Sequence, residues 1–149
     1  MRSRAKWTVM VYLAGDNNLE SAAMVDLKEM MRVGSTRDVN IVAQVDREHD
    51  NITKRIKILK KGQTSPTVIL PETDTGDPAV LADFLLWSVG NYPADHYMLV
   101  LWNHGGGWWE DERSGRKKRL PFFKHAHPAI GKRGICYDDT SNGDCLDNA

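Results

Sequence analysis

Three apolar, β-prone runs alternate with helical segments along most of the chain, and this order constrains the fold more than any other feature. The runs are Trp7–Ala14, Val39–Asp46 and Tyr97–Trp102. Each is apolar on both faces, which is typical of strands in a parallel sheet that is covered by helices on both sides. The sequence therefore predicts an α/β fold with a mostly parallel sheet.

Two segments between these runs have the spacing of amphipathic helices. The first is predicted over Asn18–Val33, with Asn17 and Glu20 as a capping pair at its start and Gly34 as its stop. The second is predicted over Pro78–Val89, because proline is favoured at the first helical position. We expect both helices to bury one apolar side, formed by Leu19, Ala23, Leu27 and Met30 in the first and by Leu81, Phe84, Leu85 and Val89 in the second.

The rest of the chain has weaker patterns. Lys54–Lys61 and Thr67–Leu70 read as the two arms of a hairpin, with the charges of the first arm on a solvated face. Glu110–Arg133 is a long basic loop. Gly134–Asp138 is expected to be a short extended segment, and Asp139–Ala149 to be turn-like.

Composition restricts the class of protein. The 149 residues carry 20 basic and 20 acidic side chains, so a formal net charge of zero argues against nucleic acid or a membrane surface as the main partner. No apolar run approaches the ~20 residues of a spanning helix, and no signal peptide is visible. We therefore expect one domain in the cytoplasm by default, with secretion left open.

Candidate chemistry lies in the loops that follow the predicted strands. In an open α/β sheet, ligands bind at the carboxyl ends of the strands, which here are the loops Gly15–Asn18, Asp46–Glu48 and Asn103–Gly107. The third loop contains His104, an imidazole that titrates near neutral pH, followed by three glycines, whose amides can point at one oxygen. This is half of an acyl-transfer site that lacks its nucleophile. A turn histidine is the alternative, and the spacing of the glycines disfavours a phosphate site.

Other titratable groups are weaker candidates. His96, His125 and His127 have no metal-ligand partners at useful spacing. Four carboxylates lie near predicted strand ends: Asp16, Asp46, Asp138 and Asp139. One of them could orient His104, but helix capping or turn formation is the default role of each. No metal or cofactor site is evident, although calcium remains possible.

Several motifs, in the order in which they occur, resemble the clostripain family of cysteine peptidases. They are Trp7–Glu20, Asp26–Met30, Gln44–Arg47, Gly76–Pro78, Leu99–Trp108 and Asp138–Ser141. The resemblance covers most of the chain apart from the basic loop. It implies a caspase-like α/β/α sandwich and hydrolysis of peptide or protein substrates after Arg or Lys by a Cys–His dyad.

The resemblance assigns the catalytic histidine to His104 and an oxyanion-hole amide to Gly105. It also implies that the nucleophilic cysteine lies on a further core strand, in a segment that has no counterpart here. Cys145 matches a non-catalytic position of the family, and Cys136 is expected to be an ordinary free thiol. Residues 1–149 are therefore expected to be one incomplete clostripain-like domain, inactive alone and completed by a downstream fragment.

Two other functions remain open. The chain could be a non-catalytic caspase-like binding domain, with Trp102, Trp108 and Trp109 as an exposed recognition surface. A small flavodoxin-like nucleotide binder is a third possibility, against which the missing phosphate-binding fingerprint argues.

Overall fold

The computed structural model describes residues 4–49, 51–63, 65–103, 135–138, 140–141 and 144–146. The described elements are, in chain order, β1 (Ala5–Gly15), α1 (Glu20–Val33), β2 (Val39–Arg47), β3 (Ile52–Lys57), β4 (Thr67–Pro71), α2 (Pro78–Asn91), β5 (Ala94–Trp102), β6 (Ile135–Asp138) and β7 (Asp144–Leu146). Within this part of the chain, neither helix is long and apolar enough to cross a membrane.

Five strands form a mixed sheet in the order β4-β3-β2-β1-β5. Strand β1 pairs in parallel with both β2 and β5, whereas the β2–β3 and β3–β4 pairings are antiparallel. The predicted parallel core and the predicted hairpin arm are both confirmed. Strands β6 and β7 form a separate antiparallel pair.

Alternating residues of β1 supply the two faces of the sheet. Met10 and Tyr12 belong to one buried cluster, which includes Phe84 of α2. Val11 and Leu13 belong to the other cluster, which includes Ala23 of α1. Because successive side chains of a strand point to opposite faces, one helix covers each side of β1. This is the α/β/α arrangement that the two-faced apolar runs predicted.

The predicted capping pair of α1 is wrong. The helix begins at Glu20, and its N-cap residue, Leu19, makes no capping hydrogen bond through its side chain. Asn17 instead forms a turn ahead of the helix, accepting from the Leu19 amide at 2.9 Å and donating through Nδ2 to the Ala14 carbonyl at 3.0 Å. The Glu20 carboxylate binds Arg47, at the end of β2. Asn17 therefore fixes the exit from β1.

Four further expectations need correction. Val89 is 42% exposed, because α2 buries Phe84 and Ser88 instead. The helix continues through Gly90 to Asn91. Arg55, expected on a solvated face, is buried, and its Nη2 donates to Asp83 at 2.7 Å. The predicted carboxyl-terminal turn region contains the short strand β7, because it pairs with β6.

Candidate functional site

The carboxyl ends of the three parallel strands meet at one edge of the sheet, as the sequence predicted. Ala14 of β1 lies in register with Asp46 of β2, and Leu13 lies in register with Trp102 of β5. The segments that follow these strands therefore start side by side. This edge is where an open α/β sheet positions ligand-binding groups.

The end of β5 is held in place by side chains on both sides. Asn103, which directly follows the strand, donates through Nδ2 to the Ala14 carbonyl at 2.8 Å. The indole Nε1 of half-buried Trp102 donates to Asp26 of α1 at 2.8 Å. These two bonds anchor Asn103 to β1 and Trp102, at the end of β5, to α1.

The predicted catalytic residues His104 and Gly105 lie outside the described residues. The same is true of several other candidates from the sequence: Trp108, Trp109, His125, His127 and Asp139. Asn103, which precedes His104 in the chain, is the last described residue at this edge of the sheet.

A cluster of four carboxylates lies at this edge. Asp16 follows β1, Asp46 is the second-to-last residue of β2, Glu72 follows β4 and Asp138 ends β6. One carboxylate oxygen from each residue can be chosen so that all four lie within 4.8 Å of one another. Asp16, Asp46 and Asp138 are fully buried, and Glu72 is half-buried. We refer to these four residues as the carboxylate cluster.

Neighbouring hydroxyl and amide groups hold two of these carboxylates through one oxygen each. The hydroxyl of Thr53 donates to Asp46 Oδ1 at 3.0 Å, and the Arg47 amide donates to the same oxygen at 3.1 Å. The hydroxyl of Thr140 donates to Asp16 Oδ2. One oxygen of each carboxylate is thus committed to the protein.

Asp138 is bound through both of its oxygens. Its Oδ2 accepts from the amide of Thr75 at 2.9 Å and from the hydroxyl of the same residue at 3.2 Å. Its Oδ1 accepts from the Ser141 amide at 2.9 Å. Asp138 therefore ties the β6–β7 hairpin to the loop between β4 and α2.

Among the residues that the structure describes, no hydrogen-bond donor reaches the remaining oxygens of the cluster. These atoms are Asp16 Oδ1, Asp46 Oδ2 and both oxygens of Glu72, all of them buried. Within the described ranges, no lysine, arginine or histidine forms an ion pair with any of the four residues. Buried charges are normally paired or bound to a metal, so this arrangement leaves acceptor capacity unused.

The protonation of the cluster reflects this environment. Burial raises the pKa of Asp46 to about 8, and the nearby charge of Glu72 adds to the effect. Burial also raises the pKa of Asp16 and that of Glu72, again with contributions from neighbouring carboxylates. A group of this kind can hold a shared proton or a cation.

The sequence predicts Asp16 and Asp46 at this edge, and it identifies Asp138 only as a carboxylate near a strand end. Asp16, Asp46 and Asp138 were assigned capping or turn roles by default, and Glu72 was not recognised at all. The available signal was topological: β4 runs antiparallel to β3, so its end lies at the same edge as the end of β2.

The other candidate residues in the described part of the chain lie elsewhere. Cys136 is fully buried in the apolar cluster beside α2. His96 is exposed near the amino end of β5, with its ring 4.8 Å from that of Trp7. The backbone of Cys145 lies in β7.

An ion-pair network joins α1 to the end of β2 near the cluster. Arg47 donates through Nε to Glu20 Oε1 at 2.8 Å, and its Nη2 forms an ion pair with the same oxygen at 2.7 Å. His49 Nδ1 lies 3.0 Å from Glu20 Oε2. Burial would raise the pKa of Glu20, but the hydrogen bonds from Arg47 and His49 outweigh it and lower that pKa. Glu20 is therefore charged at neutral pH.

Known proteins match this sequence and this fold. A family model described as the clostripain family matches residues 11–148. Clostripain from Hathewaya histolytica is 32% identical over 170 residues, an alignment that covers 95% of this chain and 29% of clostripain. The chain thus spans less than a third of the length of that relative.

Two solved structures share the architecture. A secreted C11 cysteine protease from Bacteroides thetaiotaomicron, in complex with an irreversible peptide inhibitor, has a TM-score of 0.62 and 27% identity, covering 97% of this chain and 36% of that one. A cysteine protease from B. fragilis has a TM-score of 0.59 and 26% identity, covering 76% of this chain and 98% of that one. The predicted caspase-like fold class is confirmed.

Proposed function

Because this chain belongs to the clostripain family of cysteine proteases, we propose that it is the histidine-bearing, amino-terminal part of an endopeptidase. The substrate is a peptide or protein that is cleaved after Arg or Lys. His104 and a cysteine outside this chain form the catalytic dyad, and the amide of Gly105 serves the oxyanion hole.

The observation that supports this proposal most is the anchored end of β5. Asn103 is bonded to the Ala14 carbonyl at the edge where the three parallel strands end. His104 is the next residue in the chain, and an open α/β sheet positions ligand-binding groups at this edge. A catalytic imidazole has to be positioned within hydrogen-bond reach of its nucleophile, about 2.6–3.2 Å.

The proposed reaction is acyl transfer in two steps. His104 takes the proton of the cysteine thiol, the thiolate attacks the scissile carbonyl carbon, and the negative oxygen is stabilised by the Gly105 N–H. The imidazolium then gives its proton to the leaving amine, and the C–N bond breaks. Water, deprotonated by His104, hydrolyses the thioester and regenerates the thiol.

The outer side of β5 supports a nucleophilic cysteine that lies on a further strand next to it. Among the described strands, β5 pairs with β1 on one side and is the last strand of the sheet on the other. Met98 and Leu99 of this strand are 51% and 37% exposed. A strand added here would cover them and place a cysteine beside the loop that begins at Asn103.

An assay of the chain alone tests the assignment of the nucleophile. We expect the purified 149-residue chain to show no turnover of fluorogenic peptides ending in Arg or Lys, because Cys136 is buried in the core and Cys145 matches a non-catalytic position. Turnover that both His104→Ala and Cys145→Ala abolish would contradict this and make Cys145 the nucleophile.

The remaining expectations are proposals about the whole protein. The partners are a basic peptide substrate and the downstream part of the domain, with no nucleic acid and no membrane. Cytoplasmic location remains a prediction, and the related Bacteroides thetaiotaomicron protease is described as secreted.

A further inference from the structure

We propose that strand β4 is a self-association surface, through which two copies of this chain pair edge to edge. The proposal concerns the edge of the sheet opposite to β5 and does not depend on the proposed catalytic role. The partner is a second copy of the chain, and the pairing is antiparallel about a two-fold axis at Val68. It is argued from the backbone groups of β4, its side chains and the prolines at its ends.

The backbone of β4 presents hydrogen-bond donors and acceptors on its outer side. Strand β4 lies next to β3 and is the last of the described strands at this edge. The Lys57 amide donates to the Pro66 carbonyl at 3.0 Å, so these two opposed residues form a hydrogen-bonded pair. Hydrogen-bonded and non-hydrogen-bonded pairs alternate along an antiparallel ladder. The N–H and C=O groups of Thr67 and Ile69 therefore point away from β3.

The side chains of β4 do not protect this edge. Natural edge strands are usually protected by charged residues, by proline or by a bulge. Thr67–Pro71 contains no charged residue, and Val68 and Ile69 are 42% and 65% exposed. Pro71 protects only the end of the strand. An apolar edge of this kind is a template for pairing with another strand.

The outward groups of β4 favour one self-complementary register. With the two-fold axis at Val68, Thr67 of each copy lies opposite Ile69 of the other copy, and these residues exchange both backbone hydrogen bonds. Moving the axis to Ile69 places Thr67 opposite Pro71, which has no N–H to donate. Moving it to Thr67 places Ile69 opposite Ser65, which precedes the strand and whose carbonyl accepts from the Thr67 hydroxyl.

A second copy is a suitable partner for two further reasons. The formal net charge of the chain is zero, so no long-range repulsion opposes the approach of two copies. Antiparallel pairing about a two-fold axis also directs the carboxyl ends of β1, β2 and β5 in the two copies towards opposite ends of the combined sheet. The two ligand-binding edges therefore do not block each other, and the interface closes on itself as a dimer.

Charge exchange at Val68 tests both the surface and the identity of the partner. The experiments use the chain with Met98→Lys, which disfavours pairing at β5. Sedimentation should show this chain approaching the mass of two copies as its concentration rises. Val68→Lys and Val68→Glu, each added to it, should be monomeric, because like charges would lie directly opposite each other across the axis. An equimolar mixture of the two variants should restore the dimer.

Amide hydrogen exchange identifies the strand that pairs. At high concentration the amides of Thr67 and Ile69 should exchange at least tenfold more slowly than in dilute solution, because they become hydrogen-bonded. The control is Leu86→Lys, at a 74% exposed position of α2, which should dimerise like the Met98→Lys chain. If the Val68 variants do not fold, Ile69→Lys, at a 65% exposed position, should also give a monomer.

Three results would overturn the proposal. One is a Met98→Lys chain that stays monomeric up to about 10⁻³ M, a weak affinity for a protein complex, which would leave the edge to a strand of another protein. The second is a dimer that persists in Val68→Lys and in Ile69→Lys, which would place the interface elsewhere. The third is an equimolar mixture of Val68→Lys and Val68→Glu that remains monomeric, which would exclude a two-fold axis at Val68.

Discussion

At the scale of single residues, polar side chains fix where the central strands end. Asn17 and Asn103 both donate to the Ala14 carbonyl, at 3.0 and 2.8 Å. One backbone oxygen thus determines how the segments after β1 and β5 leave the sheet. The proposed catalytic loop depends on this arrangement, since it starts at Asn103.

Asn103→Ala should destabilise the end of β5, which precedes His104. Losing the hydrogen bond to the Ala14 carbonyl should cost about 1 kcal/mol in the free energy of unfolding, measured by urea denaturation. Asn91→Ala is the matched control, because it removes a bond of 2.8 Å at an exposed helix end. Equal effects of the two substitutions would show that the Asn103 bond has no special role.

Glu20→Gln should destabilise the chain in a pH-dependent way. We expect the free energy of unfolding to fall by about 1–2 kcal/mol at pH 7. This lies between the contributions of exposed ion pairs and of hydrogen bonds to charged groups. Because the pKa of Glu20 is lowered on folding, its contribution is complete above the ordinary value of 4.5 and is lost as the pH falls through the folded-state pKa.

Urea denaturation at pH 7 and pH 3 measures this effect. The difference between the unchanged chain and Glu20→Gln should shrink towards pH 3. Glu29→Gln, which alters an exposed pair with Arg32 at 3.5 Å on the same helix, should have little effect at either pH. A loss for Glu20→Gln that is the same at both pH values would argue against the charge as its cause.

At the scale of elements, the exit from α1 depends on one glycine. Gly34 has φ 70° and ψ 174°, a combination that essentially only glycine adopts. A Cβ added there would lie 2.3 Å from the Lys60 amide nitrogen. The sequence predicted this residue as the helix stop. It could not predict the contact with Lys60, because that contact depends on tertiary packing.

Gly34→Ala should therefore be strongly destabilising. The backbone conformation alone should cost about 1–3 kcal/mol, and the clash with Lys60 adds to it. Gly62→Ala is the control, since Gly62 has φ 92° with no atom within 4 Å of the added Cβ. Thermal unfolding should give a clearly larger drop in Tm for Gly34→Ala, and similar drops would mean that the backbone near Lys60 adjusts without cost.

Elements were predictable where local pattern and tertiary environment agree. The apolar, β-prone run Trp7–Ala14 predicted β1 because both faces of that strand are buried. The error at Val89 has the opposite origin, since α2 is apolar nearly all round and packing alone decides which side it buries. The sequence predicted Arg55 in solvent because its contacts are distant in sequence. The guanidinium of Arg55 lies over the rings of Phe84 and Trp87 and donates to the carboxylate of Asp83.

At the scale of the whole molecule, the sheet ends in a strand with exposed apolar residues. Strand β5 is the last in the order of the described strands, and Met98 is 51% exposed. An open strand edge of this kind is a template for pairing with another chain. In the proposed whole protein, the strand with the catalytic cysteine occupies this position.

The 149-residue chain alone should consequently self-associate. Light scattering should show a mass that rises with concentration, and Met98→Lys should reduce the rise because a lysine on an edge strand opposes pairing. Val25→Lys, at a 53% exposed position of α1, should have no such effect. A strictly monomeric chain at high concentration would contradict the open edge.

The sequence predicts only part of the candidate site, because the rest depends on how distant strands pair. The order of strands placed the ends of β1, β2 and β5 together, so Asp16, Asp46 and Asn103 were expected at one edge. The carboxylate cluster also needs Glu72 and Asp138, which arrive through a hairpin arm and a late strand whose positions no local pattern specifies. Their convergence depends on long-range pairing.

The central claim is that this chain supplies the histidine of a cysteine protease. The most direct test is a chimera in which residues 1–149 replace the matching part of Hathewaya histolytica clostripain, assayed by kcat/KM on peptides ending in Arg. The chimera should cleave them, and His104→Ala should lower kcat/KM by about 10²–10⁴-fold, as expected for loss of a general base. His96→Ala changes an exposed residue away from the ligand-binding edge, so its kcat/KM should equal that of the unchanged chimera. A folded chimera that is inactive, or one whose activity survives His104→Ala, would contradict the account and favour a non-catalytic binding domain.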